Sequence, residues 1–257
     1  MTINNNPPSV NLLYDQAIGR IRKQTYLTDG LVLHLDGIEG GENGIWRDLS
    51  GSGKDFTLVS CARSGRGIAF NGETSYAYAE NVINENLNYG TLELAIKVED
   101  TTSETFSAVY SPASLPSGEV PYIGAAIDTN PESTSYKQVA IDGRTNQRYR
   151  TMATQDLPSN GIIVYSCVAY GISSRRAYCV FNGVQGALTT LLDSVEFISA
   201  SDTITTLGAK YVDADTRSMK FKGVIYSVRV YNKRLTVDEM KHNQHVDNLR
   251  FNLGLNI

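Results

Sequence analysis

FKGVIYSVRVYNKRLTVDEM, Phe221 to Met240, decides how the rest of the chain is read. Within it Val224, Tyr226, Val228 and Val230 alternate with Ile225, Ser227, Arg229 and Tyr231, which gives one apolar side and one mixed side. Alternation of period two belongs to a β-strand with one buried face, and it places Tyr226 with the core-facing set. Asn232, Lys233 and Arg234 then turn the chain. Thr236 and Glu239 form a capping box, in which hydroxyl and carboxylate each satisfy a backbone N–H that the first helical turn leaves unpaired. Leu235 and Met240 occupy the positions of a hydrophobic staple around that cap. The stretch is a strand, a basic turn and a helix start.

Working outward, the same alternation recurs along most of the chain. Leu31, Leu33 and Leu35 mark a first strand, followed by a glycine-rich loop that leads to Trp46, read as a core plug because of its large buried area. Asp48 and Ser50 hold the next turn through their side chains. Ile68 and Phe70 run into Asn71-Gly72, a hairpin signal, with Tyr76 and Tyr78 alternating beyond it. Leu92, Leu94, Ile96 and Val98 alternate cleanly with Glu93, Ala95, Lys97 and Glu99. Strands follow at 106–110, 122–128 and 138–142, with a polar strand or loop over 144–154 and a proline-rich loop over 111–121. Residues 162–170 are apolar on both sides and predict a central strand, paired with Ala177, Cys179 and Phe181 before a second Asn-Gly turn at Asn182-Gly183. Further strands are expected at 194–198 and 203–207. The fold class is all-β, a two-sheet antiparallel sandwich closed by a C-terminal helix. Ahead of it, Val10, Leu13, Tyr14, Ala17, Ile18 and Ile21 fall at helical spacing, so residues 1–27 read as an arm with a short amphipathic helix and residues 28–257 as the sandwich domain.

Three stretches carry a family resemblance. The glycine, alternating strand, basic turn and Leu-Thr of residues 223–236, with Asn243 two turns into the helix, resemble the C-terminal signature of laminin-G-like, concanavalin A-like jelly rolls. GLVLHLD (30–36) with WRDLSGSGKDFTL (46–58) is similar to the opening strand and tryptophan loop of that family, and GIAFNGETSYAY (67–78) to its Phe-Asn-Gly strand. The resemblance covers roughly residues 28 to 250. It implies a jelly roll in which the strand at 31–36 pairs beside that at 224–231. These are motifs of fold, and they leave the activity open.

Composition narrows the function classes. A net charge of -4 gives no basic face for nucleic acid. No run approaches the roughly 20 apolar residues of a membrane span, and the first ten residues show no secretory signal. Cys61, Cys167 and Cys179 match neither a disulfide framework nor a metal spacing, and read as free thiols of a reducing compartment. The paired carboxylates that glycosidases need do not occur at strand spacing; the nearest set, Glu99, Asp100 and Glu104, has the wrong register. His242 and His245 are spaced for a helix-borne metal but lack an evident third ligand, and read as surface histidines. Asp128, Asn130, Asp213 and Asp215 offer oxygen ligands for a structural calcium ion, though with no motif spacing.

The functional expectation is a non-catalytic recognition protein binding glycan or protein. Tyr122, Asp128, Asn130, Asp142, Arg144 and Tyr149 are the candidate ligand-binding residues, since a sugar site needs an aromatic face beside bidentate polar groups. The apolar stripe of the arm, Val10, Leu13, Tyr14, Ile18 and Ile21, must pack either on the sandwich itself or on another molecule, and in the second case it would attach the domain to a second copy or to other proteins. Similar jelly rolls ending in a helix and an Arg-Phe segment, here Arg250-Phe251, are frequent in bacteriophage structural proteins. The resemblance therefore implies a virion surface component made in a cytoplasm, in a tail, fibre or capsid decoration, facing host glycans. The alternative is a polysaccharide hydrolase or lyase on the same fold.

Overall fold

The structure, a computed structural model, describes residues 12–15, 20–23, 25–41, 43–82, 89–100, 106–114, 124–128, 132, 138–144, 148–170, 176–186, 189–190 and 203–257. In chain order the strands begin with β1 (Leu12–Asp15), β2 (Arg20–Lys23), β3 (Leu31–Asp36), β4 (Ile45–Trp46), β5 (Phe56–Val59), β6 (Ala62–Ser64) and β7 (Gly67–Asn71). They continue with β8 (Tyr76–Glu80), β9 (Tyr89–Asp100), β10 (Phe106–Ser114), β11 (Gly124–Asp128), β12 (Gln138–Arg144), β13 (Arg148–Asp156) and β14 (Ile162–Tyr170). The last are β15 (Arg176–Phe181), β16 (Val184–Gln185), β17 (Thr189–Thr190), β18 (Thr203–Leu207), β19 (Lys210–Tyr211), β20 (Arg217–Ser218) and β21 (Lys222–Tyr231), before helix α1 (Val237–Phe251).

Two antiparallel sheets form the sandwich. One runs β13-β12-β11-β10-β18-β8-β5-β4; the other runs β16-β15-β14-β9-β21-β7-β6, with β17 beside β15 and β3 beside β21. Leu92, Leu94, Ile225, Val228 and Val230 from the second sheet meet Trp46, Phe56, Ala77, Tyr110, Ile127 and Leu207 from the first in one buried core. Trp46 is the plug its size predicted: it is fully buried, and its indole N–H donates to the Asp36 carbonyl at 3.0 Å. The expected pairing of the first and anchoring strands is present, with Ser227 to Tyr231 opposite Leu31 to Asp36.

One edge of β21 is shared by two partners. Residues Lys222 to Ile225 pair with β7, and residues from Ser227 on pair with β3. Tyr226 stands at the changeover, where its carbonyl accepts from Gly37 N at 2.8 Å and the ladder to β9 slips by one residue. That bulge corrects the alternation read from sequence, because one extra residue reverses the side on which everything before it points. Ile225 joins Val228 and Val230 in the core, and Tyr226 turns outward onto Phe251, with ring centroids 5.7 Å apart. Gly37 is required here, since a Cβ would come within 2.6 Å of both Arg66 O and Gly67 Cα. Tyr226→Asp is accordingly expected to fold, destabilised by roughly 1–3 kcal/mol through lost aromatic packing, whereas Val228→Asp, which places a charge in the core, should not fold. Circular dichroism melts of the two variants check this reading.

Two further expectations change. Strands β7 and β8, read as a hairpin across Asn71-Gly72, lie in different sheets. Asn71 Oδ1 accepts the backbone N–H groups of Glu73, Thr74 and Ser75, so the side chain ties up a loop that carries the chain across the sandwich. In place of the amphipathic helix over Val10 to Ile21, Leu12–Asp15 and Arg20–Lys23 form an antiparallel pair with Leu13 opposite Arg22 and Tyr14 opposite Ile21. Gly19 inside a segment this short costs a helix about 1 kcal/mol when nucleation is already unfavourable. Val10 and Ile18 lie outside the described residues, as do 194–198. The loop expected over 111–121 begins late, because Ser111 to Ser114 still pair with β18.

Candidate functional site

Helix α1 begins at the predicted capping box, with Thr236 and Glu239 bonded in both directions, and Leu235 and Met240 buried together. It covers the outer face of the second sheet, over β9, β14 and β15. Polar and ionisable side chains converge beneath it. Arg229, fully buried on β21, donates to Glu93 Oε2 at 3.0 Å and to both oxygens of Asp247 on the helix. Asn243 donates to Glu93, Gln244 to Ser166 Oγ and the Val180 carbonyl, and Ser166 Oγ to Glu93. Burial pushes the Glu93 carboxyl up. Burial works against the Arg229 charge too, but Asp247 and Glu93 outweigh it and hold the guanidinium protonated.

The segment before β3 seals this cluster. Tyr26 lies under the guanidinium, 4.1 Å from Arg229 Cζ to the ring centroid, and its hydroxyl donates to Asp247. Leu27 N donates to Asn243 Oδ1, and Tyr231 donates to the Leu27 carbonyl. His34 meets the Tyr26 ring edge-on at 5.0 Å with its Nε2 buried and unpartnered. Burial, helped by Arg229, lowers its pKa from 6.5 to about 4. Because the folded state holds His34 neutral, the unfolded chain binds the extra proton between those values. His34 therefore costs no stability above pH 6.5 and removes on the order of 2–3 kcal/mol as pH falls to about 4. Urea titrations from pH 7 to 4 should show this slope in the wild type, and His34→Phe should flatten it. Its ionisable groups, Glu93, Arg229 and Asp247, are buried and paired with one another, so the assembly fastens the helix to the sheet.

The outer face of the other sheet is different. On β8, Ala77 and Ala79 point into the core while Tyr76 and Tyr78 point out, half-buried, with ring centroids 6.1 Å apart. Thr57 and Val59 of β5 flank them in register. The β19–β20 hairpin folds over the same face: Tyr211 clusters with Tyr78, Ala113 and Ile204, and its register partner Arg217 stacks on two rings, 4.9 Å from the Tyr76 centroid and 4.7 Å from that of Tyr211. Arg217 Nη1 donates to the Asp213 and Thr216 carbonyls, which fixes the guanidinium in place, and its Nε is buried without a partner. The Asp213 carboxylate accepts the N–H groups of Asp215 and Thr216 and is held below its usual range, first by its bond to Thr216. The result is a surface of two half-buried tyrosines, Tyr76 and Tyr78, and one aligned guanidinium, backed by the buried Tyr211 and bordered by exposed Val212. Such a surface can stack on an apolar ring face and donate hydrogen bonds from its edge.

The residues chosen from sequence lie further along this sheet. Asp128 is buried at the end of β11, opposite Phe106. Asp142 pairs with Gly124 and Arg150, Arg144 with Arg148, and Tyr149 with Gly143. Strands β11, β12 and β13 are the third to fifth from β8 in the sheet order, roughly 14–24 Å away at about 4.8 Å per strand. Tyr122 and Asn130 lie outside the described residues. Of the calcium candidates, Asp213 and Asp215 sit in the β19–β20 turn and Asp128 in β11; among the described residues no three His, Cys, Asp or Glu side chains are grouped to hold a metal ion. His242 lies against the Thr25 carbonyl, Nε2 to O 3.0 Å. Among the described residues no helix is long and apolar enough to cross a membrane. The tyrosine platform was missed in the sequence, although YAYAE carries its signal: small residues on one parity and aromatics on the other invert the usual rule that the larger apolar side chains face the core.

A scan against protein-family models finds no match to this chain, and neither does a search of curated proteins. Solved structures do match. The binding domain of botulinum neurotoxin serotype D/C aligns with a TM-score of 0.64 at 10% identity, over 86% of this chain and 53% of that one. Domain 4 of the extracellular arabinanase AbnA from Geobacillus stearothermophilus, solved with arabinotriose, aligns with a TM-score of 0.59 at 16% identity, over 82% of this chain and 96% of that domain. A Trypanosoma rangeli sialidase aligns at 0.61 and 16% identity over 86% of this chain and 33% of its own. The chain thus spans about half of the neurotoxin chains and a third of the sialidase. Likeness at such identities speaks for the fold alone, and with the two sheets described above it makes the chain a jelly-roll β-sandwich.

Proposed function

We propose that the chain is a non-catalytic recognition protein that binds a glycan on the face carrying Tyr76, Tyr78, Tyr211 and Arg217. The observation that carries this reading is the stacked, prefixed guanidinium over two tyrosines on the face opposite the helix. A sugar ring offers an apolar C–H face and hydroxyls around its edge, which complement an aromatic surface and a donor edge. The fold match to a domain solved with arabinotriose supports the same reading. Whether Asp142, Arg144 and Tyr149 extend the site along the sheet is part of the proposal. We infer further, from the sequence resemblance, that the domain is a virion surface component attached through residues 1–27 to its own copies or to other virion proteins, with host-surface glycan as the ligand.

Glycan-array screening followed by calorimetry on the best ligand tests the site. Tyr76→Ala and Arg217→Ala should each lower affinity by about tenfold or more, consistent with the 1–3 kcal/mol of a single stacking contact, while each variant still melts cooperatively. Binding that survives both substitutions would move the site elsewhere. The alternative reading, a polysaccharide hydrolase or lyase, is decided on the same preparation by release of reducing ends or unsaturated products from wall and capsular polysaccharides.

A further inference from the structure

Cys167 on β14 and Cys179 on β15 are direct cross-strand partners. Asn182 N donates to the Val164 carbonyl in the same ladder, so the hydrogen-bonded pairs fall at 164/182 and 166/180. The pair 167/179 is then of the non-hydrogen-bonded type, in which Cα atoms approach to roughly 4.5 Å and side chains are closest. That lies within the roughly 4.4–6.8 Å span that a disulfide bridges. Both thiols point into the inter-sheet core, and the Tyr165 hydroxyl, buried without a nitrogen or oxygen partner, faces both of them.

We propose that Cys167 and Cys179 form a reversible intrachain disulfide site, closed by a small peroxide-class oxidant. Cys179 is the sulfur such an oxidant reaches. It keeps 4% exposure against 0% for Cys167, and its Sγ lies beneath Gly186, where an added Cβ would stand only 2.8 Å from it. In the first step the Cys179 thiolate attacks a peroxide oxygen; the O–O bond breaks, leaving a sulfenic acid, and the departing hydroxide takes up the thiol proton as water. In the second step the Cys167 sulfur attacks the sulfenic sulfur, the S–O bond breaks, and a second water leaves with the Cys167 proton. Two thiols are oxidised and one hydrogen peroxide is reduced to two waters. Burial pushes both thiols up, so the thiolate is scarce and the closure is slow. Cys61 stands apart, half-buried beside the other sheet with its thiol donating to the Val59 and Tyr76 carbonyls.

The experiment treats the full chain with hydrogen peroxide after complete reduction, then counts thiols in denaturant and measures intact mass. The wild type should fall from three thiols to one with a loss of about 2 Da, and peptide mapping should join residue 167 to residue 179. Cys61→Ser should fall from two thiols to none as a monomer, and the oxidised form should melt about 5 °C or more higher, reversibly with dithiothreitol. Retention of both thiols in Cys61→Ser, a gain of mass as sulfinic acid, or a bridge between chains would each overturn the proposal. Cys179→Ser should keep its Cys167 thiol under the same treatment; oxidation of Cys167 at an undiminished rate would overturn the assignment of the entry sulfur.

Discussion

Arg229→Met should destabilise the protein by about 3–5 kcal/mol, enough to remove much of the stability of a typical domain. The guanidinium is fully buried and is shared by Glu93 on β9 and Asp247 on α1, and Tyr26 stacks on it. Methionine fills the space of the stem but leaves two carboxylates in a low-dielectric layer without their cation. The loss is the penalty of uncompensated charge, so it should shrink when that charge is removed. The triple variant Arg229→Met, Glu93→Gln, Asp247→Asn should recover a substantial part of the stability in urea denaturation. The single variant should also be relatively less impaired at pH 5 than at pH 8, because uptake of protons by the orphaned carboxyls relieves the repulsion. A single variant that melts like the wild type at pH 8 would show that water reaches the cluster.

Removing residues 1–27 should cost about 3 kcal/mol or more, while removing residues 1–24 should cost less than about 1 kcal/mol. The difference lies in three residues. Tyr26 contributes a desolvated cation–π contact and a hydrogen bond to Asp247, Leu27 closes bonds to Asn243 and Tyr231 and packs beside Leu235 and Met240, and the Thr25 carbonyl meets His242. Contacts of these kinds are worth about 1–2 kcal/mol each when buried. Strands β1 and β2, by contrast, form a ladder with each other and, among the described residues, with no strand of the sandwich. Urea unfolding compares the two truncations, and light scattering on the shorter deletion reports whether residues 1–24 carry self-association. Equal stability of both truncated chains would show that Tyr26 is not part of the seal.

The sandwich was legible where its elements obey one local rule at a time. The capping box of Thr236 and Glu239, the Asn182-Gly183 turn and the pairing of 31–36 with 227–231 all follow from signals within a few residues or from the family resemblance. What escaped was decided by partners distant in sequence. The bulge at Tyr226 exists because two different strands share one edge of β21, a fact that alternation inside residues 224–231 cannot contain. Glu93 looked like an ordinary solvent-facing residue of a half-buried strand until a helix some 150 residues later laid Asn243 and Asp247 across it. Arg217 and Tyr211 carry no periodicity at all; their placement over Tyr76 depends on where the β19–β20 hairpin folds back.

The pairing of β3 with β21 also bears on how the polypeptide reaches its native state. Nearly two hundred residues separate Leu31 from Tyr231, yet the centre of the larger sheet is complete only when both are in register. During synthesis the early strands must wait, for tens of seconds at elongation rates of about 5–20 residues per second, with the β3-facing edge of the sheet unmade. Such high contact order favours slow folding, governed by a late long-range closure. It also makes chaperones that hold nascent chains, more than those that refold finished ones, the cellular machinery on which the yield of this protein should depend.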